Sequence, residues 1–193
     1  MKTSLTAALL AASSLCLAMP SAQANLITNG GFETGDFSGW VQSGSLENTG
    51  VSDSRCAHSG DYCAYFNSSV SDQPNILTQT FATQIGQSYT LAYWLTEQSD
   101  VDLSSFSASI NNWETTLGDF GNGIVEDWTE KSYSFVATAT ATTLGFKAFN
   151  PASSWRLDDV SVDASAVPEP GTLALLALGA AFLRTSRRAR KVA

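Results

Sequence analysis

Two acidic residues stand where a carboxylate could do chemistry. Asp158, in Leu157-Asp158-Asp159-Val160-Ser161-Val162, lies two residues before Val160 and four before Val162. Period-2 counting along an extended segment turns its carboxylate onto their apolar face. Glu33 follows Gly30-Gly31-Phe32 at the edge of a second apolar segment. A carboxylate that faces a core must be paired, protonated or bound to a metal, because an isolated buried charge costs many kcal/mol. Two carboxylates with turn carbonyls at a rim suit calcium, a hard cation that takes about 6–8 oxygens. The same two residues can instead cap structure, Glu33 closing a turn and Asp158 accepting from backbone amides or Arg156. Spacing leaves both readings open.

Other catalytic patterns are thin. His58 is the only histidine, and it sits between Cys56 and Cys63 in Cys-Ala-His-Ser-Gly-Asp-Tyr-Cys. A serine or cysteine triad would have a single, awkwardly placed general base, and an exposed turn is the expected setting for this residue. Glycosidases need two carboxylates about 5–10 Å apart across a cleft. The remaining acids, Asp100, Asp102, Asp119, Glu126 and Asp127, fall in Gly- and Asn-rich turns that fit solvated loops better than a tuned pair. No glycine-rich phosphate loop precedes a helix. The expectation is a protein that is not an enzyme.

The elements that must hold Glu33 and Asp158 lie between two ends of different character. Residues 1–24 carry Lys2, an apolar run from Leu5 to Met19 and the small-residue site Ala22-Gln23-Ala24. These are the three parts of a secretory signal peptide, a helix cut after Ala24. Residues 167–193 hold Pro168-Glu169-Pro170, an apolar run from Thr172 to Leu183, then Arg184, Arg187, Arg188, Arg190 and Lys191. The prolines start the run as a separate element. At about 13 residues it is short of the roughly 17–25 of an unaided span, and the cations after it favour the cytoplasmic side.

This order of Pro-Glu-Pro, apolar helix and arginine cluster resembles the PEP-CTERM sorting signal of Gram-negative bacteria. The resemblance implies export by the Sec machinery, a transient stay in the inner membrane as a short transmembrane helix, and processing near Pro168, Glu169 and Pro170 by an exosortase. Delivery to the cell surface or extracellular matrix, often beside exopolysaccharide in a biofilm, is implied with it.

Residues 25–166 read as one all-β domain, a two-sheet antiparallel jelly-roll sandwich, long enough to bury a core. Tyr89, Leu91, Tyr93 and Leu95 alternate; so do Phe106, Ala108 and Ile110, then Tyr133, Phe135 and Ala137, then Leu144, Phe146 and Ala148. Further strands are expected over Leu26–Thr28, Trp40–Gln42, Tyr62–Asn67, Ile76–Ala82, Glu114–Leu117 and Trp155–Val162. The even pair Cys56 and Cys63 in an exported chain suggests a disulfide, contributing about 2.5 kcal/mol on a chain-entropy basis.

Asn25-Leu-Ile-Thr-Asn-Gly-Gly-Phe-Glu33 with Gly39-Trp40, the middle Ala-His-Ser-Gly-Asp-Tyr, and the closing Leu-Asp-Asp-Val-Ser-Val together resemble galactose-binding-like jelly rolls, which include carbohydrate-binding modules of the family 4, 9 and 22 type. That resemblance implies a structural calcium joining the first and last strands. Carried over by motif, Glu33 and Asp158 would supply carboxylates, Gly31 a carbonyl, and the turn from Ser59 to Tyr62 further carbonyls. It also implies a ligand cleft on one concave sheet face, where aromatic rings stack on sugars. Trp94, Trp113 and Trp155 are the candidates for that role, with Trp40 and Trp128 assigned to packing.

The full chain has 10 Lys and Arg against 18 Asp and Glu, a formal charge of −8. Removing both ends leaves Arg55, Lys131, Lys147 and Arg156 against seventeen acids, a net −13. Such a domain makes a poor nucleic-acid ligand and attracts divalent cations. The resulting expectation is a non-catalytic surface or matrix module that contacts a neutral glycan, or an anionic one through calcium. The alternative is a structural matrix protein that binds no sugar.

Overall fold

The computed structural model of the chain describes residues 25–53, 55–67, 73–97, 104–111, 113, 115–121 and 127–165. The expected signal peptide, the expected sorting signal with Pro168, Glu169 and Pro170, and the acids Asp100, Asp102 and Glu126 lie outside the described residues. Among the described residues ten strands run in chain order: β1 (Val41–Gly44), β2 (Thr49–Ser52), β3 (Cys63–Phe66), β4 (Asn75–Ala82) and β5 (Ser88–Glu97), then β6 (Ser105–Ile110), β7 (Thr115–Gly121), β8 (Thr129–Val136), β9 (Ala141–Phe149) and β10 (Trp155–Ala164). They form two antiparallel five-stranded sheets, β1-β4-β9-β6-β7 and β2-β3-β10-β5-β8. The described residues form an all-β domain, as the alternating pattern predicts.

Alternation decides which side chains meet between the sheets. In β5, Tyr89, Leu91, Tyr93 and Leu95 are buried while Thr90, Ala92 and Trp94 face outward and are half-buried. Leu77 of β4, Phe106 of β6, Leu144 and Phe146 of β9, and Leu157 and Val162 of β10 complete the core with Phe32, Phe66 and Trp155. It is rich in rings: Phe106 lies 5.7 Å from Phe146 and 5.6 Å from Trp155, and Tyr93 meets Phe146 edge-on at 5.2 Å. Such offset and edge contacts add to the burial of large apolar area.

The first residues do not form the expected strand. Instead, between backbone bonds from Leu26 N to Val162 O (2.9 Å) and from Val160 N to Gly30 O (3.0 Å), side-chain amides stand in for a ladder. Asn25 Oδ1 accepts from Ile27 N (2.9 Å) and Val162 N (3.0 Å), while Asn25 Nδ2 donates to Val160 O (3.1 Å). The buried Gln79 of β4 does the same from the other sheet, accepting from Thr28 N (2.7 Å) and donating to Thr28 O (2.9 Å). The segment is therefore tied to both sheets at once and closes one edge of the sandwich.

At Gly30 the backbone runs directly against β10. Val160 N donates to Gly30 O (3.0 Å), and a Cβ on Gly30 would overlap Val160 O, a backbone atom with no freedom to move aside. We predict that Gly30→Ala lowers unfolding free energy by about 2–4 kcal/mol, as expected for overpacking against buried backbone. Urea denaturation checks this; an unchanged midpoint would mean that the close approach is not needed.

Candidate functional site

Strand β10 is irregular where the carboxylates sit. Asp158 pairs with Trp94 and Ser161 with Ala92, so two residues of β10 oppose the single Tyr93 of β5. This is a β-bulge, and Asp159 adopts φ 49°, a left-handed value that Asp tolerates better than most residues. The extra residue reverses the parity of the strand. Residues directly opposite each other share a sheet face, so Asp158 points outward with Trp94 and not inward with Val160 and Val162. Its placement on the core face, expected from period-2 counting, is thereby corrected.

Asp158 is nevertheless buried, because the turn between Cys56 and Cys63 lies over it. Those cysteines are joined, with Cα atoms 5.5 Å apart. Asp158 Oδ2 accepts from His58 N (2.8 Å) and Ser59 N (3.2 Å), and Oδ1 from Asp159 N (2.7 Å). Burial pushes its carboxyl up to about 6, against the lowering effect of these three amides. Neighbouring Asp159 reaches the same turn: Oδ1 accepts from Ser59 Oγ (2.7 Å), and Oδ2 lies 2.6 Å from His58 Nδ1. A carboxylate only accepts, so the shared proton belongs to the ring nitrogen.

His58 is correspondingly not the exposed turn residue expected from its position. Its ring stacks on Trp94 with centroids 3.8 Å apart and planes 13° from parallel, and meets Trp128 edge-on at 5.6 Å. Glu33 fastens the far side of the turn. Its carboxylate accepts from Asp61 N (3.0 Å) and Tyr62 N (3.1 Å). Gly60, at φ +64°, leaves the room that the Glu33 carboxylate occupies.

Gly31 lies among all three acids. A Cβ built on it would be 3.6 Å from Glu33 Cγ, 3.7 Å from Asp159 Oδ1 and 3.8 Å from Asp158 Oδ1. The acidic groups gathered here offer oxygen donors, the ligand type that a hard cation takes. No three His, Cys, Asp or Glu side chains among the described residues converge closely enough to hold a metal by themselves. Calcium would need Asp158 and Glu33 to be completed by backbone carbonyls, for which Gly31, Ser59 and Tyr62 are the nearest candidates by sequence.

The three candidate tryptophans do not converge. Trp155 is fully buried, with its indole N–H donating to Phe149 O (3.2 Å), so it presents no ring to a ligand and the role expected for it is corrected to core packing. Trp94 lies on the outer face of the second sheet, with one side taken by His58. Trp113 sits over the outer face of the first sheet. Its ring edge would come within 3.1 Å of a Cβ on Gly145, a residue of β9, and Lys147 Nζ lies 4.5 Å from its centroid. Around it β4, β6 and β9 present Thr78, Thr80, Thr143, Ser107 and Ser109 on the same face. Ser109 is buried and its hydroxyl has no partner.

In metal-free protein the Asp158 carboxyl binds its proton more tightly folded than unfolded. Its ionisation therefore costs stability: the contribution is fully present below the ordinary carboxyl value of 3.8 and lost as pH rises through about 6. The difference in stability between wild type and Asp158→Asn in chelator should shift by about 2–3 kcal/mol across that window. A pH-independent difference would show that the carboxyl is not perturbed.

The structure is similar to several solved carbohydrate-binding modules. TmCBM61, solved with β-1,4-galactotriose, superposes at TM-score 0.61 with 18% identity, covering 74% of this chain and 99% of that one. The CBM22-1 xylan-binding domain of Paenibacillus barcinonensis Xyn10C gives TM-score 0.55 and 10% identity over 77% and 99%. The N-terminal cellulose-binding domain of Cellulomonas fimi β-1,4-glucanase C gives 0.52 and 20% over 75% and 99%. These likenesses show a shared jelly-roll fold. No curated protein matches the chain. Residues 166–191 match the PEP-CTERM protein-sorting motif, which marks the chain for export to the surface or exterior. Residues 24–154 match the carbohydrate binding domain of the family 4 and 9 type, and with this match the chain belongs to that family.

Proposed function

We propose that this protein is an exported, non-catalytic carbohydrate-binding module that reaches the cell surface or extracellular matrix, where it contacts exopolysaccharide or another glycan. In this reading the Sec machinery carries it through the inner membrane, the apolar tail holds it there transiently, and an exosortase cuts near Pro168, Glu169 and Pro170. Family membership supports a glycan as ligand, and the sorting motif supports the route.

Trp113 is the observation that carries the reading. Its ring rests against a strand at Gly145, beside Lys147, among threonine and serine hydroxyls. A pyranose ring has an apolar face that stacks on indole and equatorial hydroxyls that meet hydroxyl and ammonium partners. Glycan-array binding by the purified protein should therefore fall about tenfold in Trp113→Ala, the loss of roughly 1.4 kcal/mol. Wild-type protein that binds no glycan above background, including polysaccharide from its own source, would leave only a structural role in the matrix.

Calcium in this reading is structural. Bound at Asp158 and Glu33 with carbonyls from Gly31 and the Ser59 to Tyr62 turn, it would tie the first residues, the disulfide turn and β10 together. Binding to the folded state alone stabilises by mass action, about 2.7 kcal/mol at a hundredfold excess over Kd. The melting temperature should rise with calcium relative to chelator, and Asp158→Ala should abolish the difference. Identical wild-type melting curves in both conditions would overturn the assignment.

A further inference from the structure

A cavity lies on the outer face of the second sheet, away from Trp113. It is lined by Ser52, Arg55, Cys56, Tyr65, Ser154 and Arg156 and has a volume of about 220 Å³. That is below the roughly 300–1,000 Å³ of sites for drug-sized ligands, a size suited to one sugar ring and not to a chain of them. In register, Arg156 of β10 pairs with Tyr65 of β3, which pairs in turn with Gly50 of β2. Buried neighbours on either side turn Tyr65 and Arg156 to the same outer face.

Three features set this cavity apart. It gathers two of the domain's four basic residues into one place, on a domain whose net charge is −13. Neither guanidinium is in an ion pair among the described residues. Arg156 is half-buried, and loss of water draws its pKa below the ordinary arginine value. A positive charge carried into a partly dry pocket with no protein counter-charge gains most from an anion supplied by a ligand.

The third feature is the ring. A Cβ on Gly50 would lie 2.7 Å from Tyr65 Oη and 3.0 Å from two ring carbons, so the tyrosine lies across the bare backbone of β2. Gly50 here repeats what Gly145 does under Trp113. An aromatic ring, two guanidiniums and two serine hydroxyls match a pyranose that bears a carboxylate. At physiological salt the surrounding acidic surface is screened beyond about 8 Å, so the groups lining the cavity dominate what it attracts.

We propose that this cavity is a second saccharide site, selective for a uronic acid residue, with Arg55 and Arg156 holding the carboxylate and Tyr65 lying against the sugar ring. It rests on the reading of the chain as a glycan binder but not on Trp113. It also departs from the neutral or calcium-bridged glycan that overall charge predicts.

Isothermal titration of the full protein in chelator separates the cases, using glucuronic acid oligomers, glucose oligomers of equal length, and inorganic sulfate. Glucuronate should bind wild type, and Arg55→Gln and Arg156→Gln should each weaken it about tenfold or more. Trp113→Ala should leave it within twofold. Arg55 is exposed in a turn, so its variant reports on the site even if Arg156→Gln does not fold. Glucuronate binding unchanged in Arg55→Gln and in any folded Arg156→Gln would overturn the proposal. Sulfate that displaces glucuronate at equal affinity would reduce the cavity to a plain anion site and overturn the saccharide assignment. If glucose oligomers or array glycans bind in a Trp113-dependent way while glucuronate does not, this site fails and the proposed function stands. If nothing binds, both fail.

Discussion

The β10 bulge is the constraint on which the rest of this site depends. One extra residue between Asp158 and Ser161, accommodated by the left-handed backbone of Asp159, changes which way every neighbouring group faces. It turns two successive carboxylates toward the disulfide turn, where they take amide, hydroxyl and imidazole donors. On the core side it leaves Val160 and Val162 packed inward, and it offers the Val160 backbone to Gly30 and Asn25. A regular strand could not do both, since strict alternation would direct one of the two acids into the core.

From that point, three segments distant in sequence are brought together. The first residues are held by Asn25 and Gln79, the turn from Cys56 to Cys63 by Asp158, Asp159 and Glu33, and Trp94 by the ring of His58. The disulfide closes the turn on itself but does not attach it to the sheet; the carboxylates and the imidazole do. Tight spacing recurs wherever these parts touch. Gly30, Gly31 and Gly60 each stand where a side chain would strike backbone or carboxylate, or fill the space among the acids.

The two outer faces share one device and differ in charge. On the first, Gly145 lets Trp113 rest against β9 beside Lys147; on the second, Gly50 lets Tyr65 rest on β2 beside Arg156. Laying an aromatic ring against bare backbone exposes a ring without a crevice to hold it. In a domain this acidic, placing three of its four cations beside those two rings opposes the general field at two local points.

Much of the fold was legible because apolar alternation in a half-buried strand is a local property. Tyr89 to Leu95 and Leu144 to Ala148 could hardly be placed otherwise. Thr49–Ser52 escaped because Thr-Gly-Val-Ser carries no alternation: β2 is an edge strand whose glycine serves Tyr65. Leu26–Thr28 looked like a strand, but while Leu26 N donates to Val162 O, Ile27 N and the Thr28 N–H and carbonyl are met by the Asn25 and Gln79 side chains, partners that no periodicity reveals. An all-β domain with one disulfide, its acidity and its sorting end can be read from composition and short-range pattern alone. That Asp158 faces outward, that His58 is stacked on Trp94, that Trp155 is core, and that Arg55 and Arg156 share a cavity emerges from the folded arrangement. Each of these depends on register between strands far apart in the chain, and a single inserted residue in a ladder inverts every face assignment beyond it.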